Sequence, residues 1–374
     1  MKKTVLITLV SILTASQAIA QVADGYYRIQ NYATLRYITI NDDVIGKVNT
    51  SGTEIDLANI VTWRDFDVIK SNPASIFYVE QVDTKYNLKS QGTSIYQIAG
   101  GRTYLELIAK EDNTYMLSAS YGGASARLYD TSKDMEPGYV HKSASSGENY
   151  GRWRFVPITD GDNYLGLQPT VQANDGWYGT IYASYPFKVI SSDVTVYVVD
   201  GVKDGVFRLQ EITDEVKPAA TPLLFKCSSG DAADNKIMPV TDATTPADNN
   251  QMCGTYFAST TTKHVKNVEY DSKTMRVLGK NADGDLIFTT ATEDNLSEKK
   301  YIPMNTCWLN VPNGLTGDFK LVSRDEYTTG IRNINVEGNK ATNGPIYTLT
   351  GTKANTKALQ PGIYIQNGKK VVIK

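Results

Sequence analysis

Aromatic and hydrogen-bonding side chains lie together in the short segment Asn-Asp-Gly-Trp-Tyr at residues 174–178. Asp175 and Gly176 are typical of a turn, and two aromatic residues follow them directly. A carbohydrate site needs an aromatic face beneath the sugar ring and carboxylate or amide groups at the sugar hydroxyls. The segment therefore predicts a ligand-binding site made of Asn174, Asp175, Trp177 and Tyr178.

A second candidate ligand-binding residue is Tyr121, which places one aromatic ring before the flexible pair Gly122-Gly123. Both candidates also have a structural interpretation. Tyr178 and Tyr182 can alternate into a core, and the glycine pair after Tyr121 can be an ordinary hairpin tip. The sequence leaves both interpretations open.

No local motif for catalysis is found. His141 and His264 stand apart from any nucleophile pattern, and the G-x-S-x-G, H-E-x-x-H, C-x-x-C and P-loop patterns are missing. The chain is therefore expected not to be an enzyme, and no catalytic residue, cofactor or metal ligand is predicted. A two-carboxylate glycoside hydrolase stays open as an alternative, because its carboxylate pair leaves no local spacing in a sequence.

The three cysteines all follow residue 215. In an oxidising compartment, Cys227 and Cys253 are the preferred disulfide pair, because they would close a polar, turn-rich loop with few apolar residues to hold it. Such a loop would gain about 3 kcal/mol from the bridge. Cys307, beside Trp308, would then be a buried free thiol. Other pairings, and three reduced buried thiols, remain alternatives.

Composition restricts the class of partner. The chain has 374 residues, with 38 lysines and arginines against 40 aspartates and glutamates, which gives a formal net charge of −2. A charge this close to zero excludes a broad cationic surface for nucleic acid. Hydrophobic residues make up 41%, which is typical of a folding chain, and 24 tyrosines stand out.

The first twenty residues predict an export signal. Lys2 and Lys3 precede a short apolar run, and the small residues Ala18 and Ala20 suit a signal peptidase. We expect residues 1–20 to be a signal peptide cleaved between Ala20 and Gln21. The apolar run is too short to cross a bilayer, and no later run reaches that length, so no transmembrane segment is predicted.

Beyond Gln21, short aromatic and β-branched runs alternate with Gly, Asn and Asp turns, which predicts an all-β chain. One helix is expected from Leu57 to Ile69, closed by Pro73. A hairpin is expected between residues 275–278 and 286–288, with its turn at Asp283-Gly284.

Aromatic strands recur along the first 190 or so residues of the mature chain. These strands are predicted at Gly25–Ile29, Ile76–Glu80, Trp153–Pro157 and Val206–Leu209. The first and the last resemble the two outer halves of one repeated unit. This pattern resembles a β-trefoil and implies a trefoil-like domain over 21–215, with another β-barrel or a β-sandwich as the alternative. The Gln-x-Trp signature of ricin-like trefoils is absent, so no sugar site is carried over.

Prolines within residues 216–222 predict a boundary, followed by a small antiparallel β-sandwich domain over 216–326.

The last segment, 327–374, predicts a short β domain. Asn367-Gly368 separates two alternating runs, which indicates a hairpin, and Lys369, Lys370 and Lys374 would protect an edge strand. The segment resembles the C-terminal sorting domain of type IX secretion in Bacteroidetes-type bacteria. Segments elsewhere resemble secreted proteins of gut Bacteroidetes, namely 65–76, 165–169, 181–187 and 276–279. These resemblances imply a Gram-negative cell surface or extracellular location and no particular activity.

The sequence thus favours an exported, non-catalytic binding protein that recognises a glycan or glycoconjugate at or outside the cell surface. The alternative from a different class is a structural or adhesive surface protein that contacts other proteins through its β domains. A concave aromatic pocket would favour glycan binding, and a large exposed apolar patch would favour adhesion.

Overall fold

The computed structural model describes residues 21–40, 60–94, 104–121, 124–132, 134–143, 148–203, 206–255, 259–261, 264–265, 268–311, 316–329, 332–333, 344–349, 351–355, 359–366 and 369–373. The predicted signal peptide lies outside these residues. The described chain is nearly all β, which confirms the predicted fold class. None of the helices in the described ranges has the length and apolar character needed to cross a bilayer.

Eleven strands form the first part of the fold. They are β1 (Gly25–Asn31), β2 (Tyr37–Ile40), β3 (Ile60–Trp63), β4 (Phe77–Val82), β5 (Lys85–Ser90), β6 (Thr93–Ser94), β7 (Glu106–Lys110), β8 (Thr114–Tyr121), β9 (Ala124–Asp130), β10 (Gly138–Ser143) and β11 (Arg152–Pro157). One α-helix, α1 (Phe66–Ile69), and the short 3-10 helices Pro73–Ser75 and Glu148–Gly151 connect them.

Six of these strands close into a ring. The order is β1-β4-β5-β7-β8-β11, and β11 returns to β1; an isolated bridge between Tyr86 and Leu105 joins β5 to β7. Hairpins such as β2-β3 and β9-β10 stand on the ring. A trefoil requires a ring of this kind, and the trefoil assignment stays a prediction.

Alternation along the strands fills the ring with apolar side chains. The core includes Ile29 of β1, Val79 of β4 and the indole of Trp153 of β11, all fully buried. The Trp153 indole N–H donates to the Leu128 carbonyl at 3.0 Å, so its polar atom is satisfied inside the core. Burial of this aromatic and aliphatic set is the main driving force for closing the ring.

Two local predictions in this part are wrong. Residues 60–63 form strand β3, which pairs with β2, and only Phe66–Ile69 is helical. The apolar residues Ile60 and Val61, which fit a helical spacing in the sequence, are instead fully buried in the core of the sheet. The strand that closes on β1 is β11, whereas the expected partner at 206–209 pairs elsewhere.

Sixteen further strands follow. They are β12 (Leu165–Gly166), β13 (Val171–Ala173), β14 (Gly176–Ile181), β15 (Phe187–Val189), β16 (Thr195–Lys203), β17 (Val206–Glu211), β18 (Val216–Lys217), β19 (Leu223–Cys227), β20 (Lys236–Pro239), β21 (Met252–Gly254), β22 (Ser259–Thr261), β23 (His264–Val265), β24 (Met275–Lys280), β25 (Leu286–Thr289), β26 (Cys307–Asn310) and β27 (Phe319–Ser323). Helix α2 (Arg324–Thr329) follows β27 directly.

Ten of these strands form one large sheet in the order β13-β14-β19-β16-β17-β27-β25-β24-β26-β21. The expected hairpin β24-β25 is confirmed, with Gly284 in its turn at φ +80°. All pairings in this sheet are antiparallel except the parallel pair β17-β27. Strands β12, β20, β15 and β18 form a second, smaller sheet.

Strand pairing continues across the predicted boundary at residue 216. Strands β14 and β16, before the boundary, both pair with β19, which follows it. The closed ring ends at Pro157, so the pairing favours a division near that residue. Pro218 and Pro222 lie between β18 of the smaller sheet and β19 of the ten-stranded sheet.

The last four strands form a separate sheet in the order β28-β31-β30-β29. Their bounds are β28 (Arg332–Asn333), β29 (Ile346–Thr348), β30 (Gly362–Gln366) and β31 (Lys369–Ile373). The antiparallel pairing of Gln366 with Lys369 fits the hairpin expected around residues 367–368, which lie outside the described part. The prediction that the last strand is an edge strand is wrong, because β28 pairs in parallel with β31 at Val371 and Val372.

The expected disulfide is not formed, and Cys227, Cys253 and Cys307 are free thiols. The Cys227 thiol is buried and lies 3.3 Å from the Ser229 carbonyl oxygen, whereas Cys253 is on β21, where it pairs with Trp308. Hydrogen bonds from Asn235 and Asn250 to backbone carbonyls hold the intervening loop instead. Burial raises the pKa of Cys227 to about 11, which keeps its thiol protonated.

A thiol measurement tests this arrangement. In denaturant without reductant, we expect three titratable thiols per chain. Replacing Cys253 with serine should change the free energy of unfolding by less than about 1 kcal/mol, because no bridge is lost. One reactive thiol, together with a loss of about 3 kcal/mol in the Cys253→Ser variant, would contradict the structure.

Arg28 joins the ring to the second part of the chain. Its guanidinium is fully buried and donates to Ser75 Oγ (3.0 Å), Asn163 Oδ1 (2.8 Å) and the carbonyl oxygens of Tyr164 (2.7 Å) and Ile69 (3.0 Å). Burial lowers its pKa to about 10. Without this side chain, Asn163 Oδ1 and the Tyr164 carbonyl oxygen would lose this donor, whereas the Ile69 carbonyl oxygen would keep its hydrogen bonds from the Asn72 N–H and Ser75 Oγ.

We therefore expect the Arg28→Met variant to lose about 3 kcal/mol or more in the free energy of unfolding, because Asn163 Oδ1 and the Tyr164 carbonyl oxygen lose this charged donor. Arg154→Met is the matched control on the neighbouring strand β11, since Arg154 stacks on the Tyr32 ring. Denaturant unfolding measures both. Equal, small losses in the two variants would show that the buried contacts of Arg28 do not hold the two parts together.

Candidate functional site

A cavity of about 680 Å³ opens at one end of the ten-stranded sheet. The sheet curls at this end, because the Asn174 N–H donates to the Gly284 carbonyl at 3.0 Å and thereby joins the turn after β13 to the turn between β24 and β25. Barrel mouths of this kind are common ligand sites, since they combine a concave shape with converging strand ends.

Neighbouring strand ends supply the walls. The lining side chains come from β14 (Tyr178), β19 (Lys226), β16 (Tyr197), β17 (Leu209, Gln210, Glu211), β25 (Leu286) and β27 (Lys320, Leu321, Val322, Ser323). Register sets two rows of contacts, with Tyr178 opposite Lys226 and Tyr197 opposite Glu211. Beneath them lies an apolar core that includes Leu224, Phe288 and Phe319.

Adjacent residues of a strand point to opposite faces, and this separates the two predicted aromatics. Tyr178 is buried and lines the cavity. Trp177 packs against the apolar cluster on the other face of the sheet, where its indole lies 3.0 Å from the position a Cβ on Gly230 would take. Asn174, Asp175 and Tyr178 therefore share one cavity, and Trp177 does not belong to it.

Asp175 organises one wall of the cavity. Its Oδ2 accepts hydrogen bonds from Tyr178 Oη at 2.9 Å and from Lys226 Nζ at 2.7 Å. The Lys226 ammonium also lies 5.5 Å from the centre of the Tyr178 ring. Burial, with the nearby Asp175 carboxylate as the second cause, raises the pKa of Tyr178, so the hydroxyl stays a neutral donor.

Tyr197 and Glu211 form a similar pair on the adjacent strands. Tyr197 is half-buried, and Glu211 is exposed beside it. Burial raises the pKa of Tyr197, and the Glu211 carboxylate adds to the effect. The second wall carries an ion pair between Lys320 and Asp285, whose Nζ and Oδ2 atoms lie 3.2 Å apart.

Asn174 closes the cavity and does not project a free amide into it. Its Nδ2 donates to the Asp283 carbonyl at 2.7 Å, and its Oδ1 lies 2.4 Å from the position a Cβ on Gly284 would take. Gly284 therefore allows the two turns to approach, both through its left-handed φ of +80° and through its lack of a side chain.

The remaining predicted residue lies elsewhere. Tyr121 ends β8 in the first ring, where its backbone pairs with Ala124. Its side chain and the two glycines after it are outside the described part. His141 and His264 lie on strands β10 and β23, and neither is among the described residues that line the cavity. Within the described ranges, no group of three or more histidine, cysteine, aspartate or glutamate residues is placed to hold a metal ion.

Sequence reasoning missed Tyr197, Glu211 and Lys226. Each is separated from residues 174–178 by at least one strand, so no local spacing joins them to that segment. Their strands carry other polar residues as well, such as Asp200, Arg208 and Gln210, so nothing local distinguishes Tyr197 and Glu211. Only the sheet order shows that these ends meet.

No protein-family model matches the chain, and no curated protein matches it. The structure is similar to a solved structure described as "Structure and mode of action of a mosquitocidal holotoxin", with a TM-score of 0.27 and 10% sequence identity. The similarity covers 78% of this chain, which spans only 35% of the toxin chain. Likeness at this level identifies neither a fold family nor an activity.

The closure at Gly284 gives a stability prediction. We expect Gly284→Ala to lower the free energy of unfolding by about 2 kcal/mol, because alanine is strained at this φ and its Cβ collides with Asn174. Gly161→Ala is the control, since its Cβ would meet only Thr159 Oγ1 at an ordinary 3.6 Å. Thermal or denaturant unfolding measures both, and equal stability of the two variants would contradict the predicted closure.

Proposed function

We propose that this is an exported, non-catalytic binding protein that recognises a glycan or glycoconjugate in the cavity at the mouth of the ten-stranded sheet. Its proposed location is the surface or exterior of a Gram-negative, Bacteroidetes-type cell, on the basis of the signal-like residues 1–20 and the sorting-like segment 327–374. A family resemblance to secreted Bacteroidetes proteins is part of the same proposal.

One observation carries the proposal: Asp175 and Tyr178, picked out for sugar chemistry, line a cavity together with a second tyrosine, Tyr197. Sugars present an apolar ring face and a rim of hydroxyls. Tyrosine rings can cover the face, and carboxylate, ammonium and hydroxyl groups can bond the rim. Lys226 and Glu211 add a donor and an acceptor within the same lining.

The carboxylates of the cavity are better suited to binding a glycan than to hydrolysing it. Asp175 is bound to Lys226 and to the Tyr178 hydroxyl, and Asp285 is bound to Lys320. A glycosidase instead needs one carboxylic acid that can give up a proton and a second carboxylate placed for attack. Charge-paired aspartates are better suited to hold sugar hydroxyls in fixed positions.

A glycan array with the full chain tests this proposal. We expect saturable binding to one class of saccharide, and we expect Tyr197→Leu to weaken it at least tenfold, because the ring and hydroxyl are lost while an apolar side chain still covers the core. Titration calorimetry on the best array ligand gives the affinities.

Trp177→Phe is the matched control, because Trp177 faces the opposite side of the sheet and its replacement should leave binding unchanged. Thermal unfolding checks that both variants are folded. If no saccharide binds, or if only the Trp177 variant loses binding, the cavity is not a glycan site. The first result would favour the structural or adhesive alternative.

A further inference from the structure

The cavity contains the same chemical pair twice. Each pair consists of a tyrosine and a carboxylate: Tyr178 with Asp175, and Tyr197 with Glu211. Tyr178 Oη donates to Asp175 Oδ2 at 2.9 Å, and Tyr197 lies directly opposite Glu211 in the pairing of β16 with β17, so each carboxylate is next to its tyrosine. An aromatic face next to a carboxylate is well suited to an ammonium group, which gains from both.

The chain itself occupies the first pair. The ammonium of Lys226 lies 2.7 Å from Asp175 Oδ2 and 5.5 Å from the centre of the Tyr178 ring. This contact is an example, within the cavity, of an ammonium group held by a carboxylate beside an aromatic ring. The Lys226 side chain is half-buried, whereas that of Asp175 is largely exposed, so water screens part of this contact.

The second pair receives no ammonium from the described part of the chain. None of the described lysines or arginines is within ion-pair distance of Glu211 or placed over the Tyr197 ring. Lys217 interacts with Glu211 electrostatically, but its buried ammonium donates to the carbonyl oxygens of Ile212 and Asp214.

Among the lining residues that the structure describes, carboxylates outnumber cations by one. Four carboxylates line the cavity, from Asp175, Glu211, Asp285 and Glu326, against three cations, from Lys226, Lys320 and Arg324. Two of the cations are already bound to aspartates. A ligand with a negative group would meet a surplus of carboxylates, whereas a ligand with an ammonium group would balance them.

We propose that the Tyr197–Glu211 pair binds an ammonium group of the ligand, so that the glycan taken by this cavity contains an amino sugar with a free amine. This inference rests on the proposed function and narrows its ligand class. The acetylated form of the same sugar lacks the positive charge and should bind less well at this pair.

Two oligosaccharides of equal length test the inference directly: one of glucosamine units and one of N-acetylglucosamine units. Calorimetry with the full chain should give at least tenfold tighter binding of the free-amine form. Glu211→Gln should weaken that form about tenfold and leave the acetylated form unchanged, because the substitution removes only a charge.

Glu106→Gln, in strand β7 of the first ring, is the matched control and should leave both affinities as they are. Equal affinity for the two oligosaccharides, or no effect of Glu211→Gln, overturns the ammonium inference while glycan binding stands. Failure of both oligosaccharides to bind also overturns it, and the array then decides separately whether the cavity binds any other glycan.

Discussion

A buried positive charge without a carboxylate partner is the constraint on which the fold depends most. Arg28 is fully buried, and its acceptors are neutral oxygens from the 3-10 turn, helix α1 and residues 163–164. A guanidinium removed from water is tolerated only when its N–H groups are all directed at acceptors. Half of these acceptors, from residues 163–164, follow the ring, so the hydrogen bonds of Arg28 tie strand β1 to the chain beyond it.

The cavity depends on a different rule, the two-residue period of a strand. Tyr178, Lys226 and Tyr197 lie on one face of β14, β19 and β16, while Phe225, Cys227 and Val196 lie on the other. Apolar cores pack on both faces of this sheet, which leaves few positions for polar side chains within it. Polar groups of the site are thus concentrated at the strand ends, where the Asn174–Gly284 contact brings the two turns together.

Local chemistry in the sequence identified part of this site, and its limits have a physical basis. Asp175 and Tyr178 could be selected because turn, carboxylate and ring are adjacent. Trp177 does not belong to the site, because the side chains of adjacent residues in a strand point to opposite faces of the sheet. Tyr197 and Glu211 could not be selected, because their proximity comes from pairings between strands distant in the chain. The incorrect predictions of a helix that included residues 60–63 and of a disulfide have the same cause. The spacing of residues along the chain does not show which face of a strand is buried or which residues the fold brings together.

The junction between the ring and the later sheets also contains two facing amides. Gln91 Nε2 donates to Asn305 Oδ1 at 2.7 Å, and Asn305 Nδ2 donates to Gln91 Oε1 at 3.0 Å, with both residues buried and both in left-handed backbone conformations. Carboxamides neither titrate nor attract counterions. The relative orientation of the two parts at this contact is therefore insensitive to acidity and salt, which an ion pair at the same place would not be.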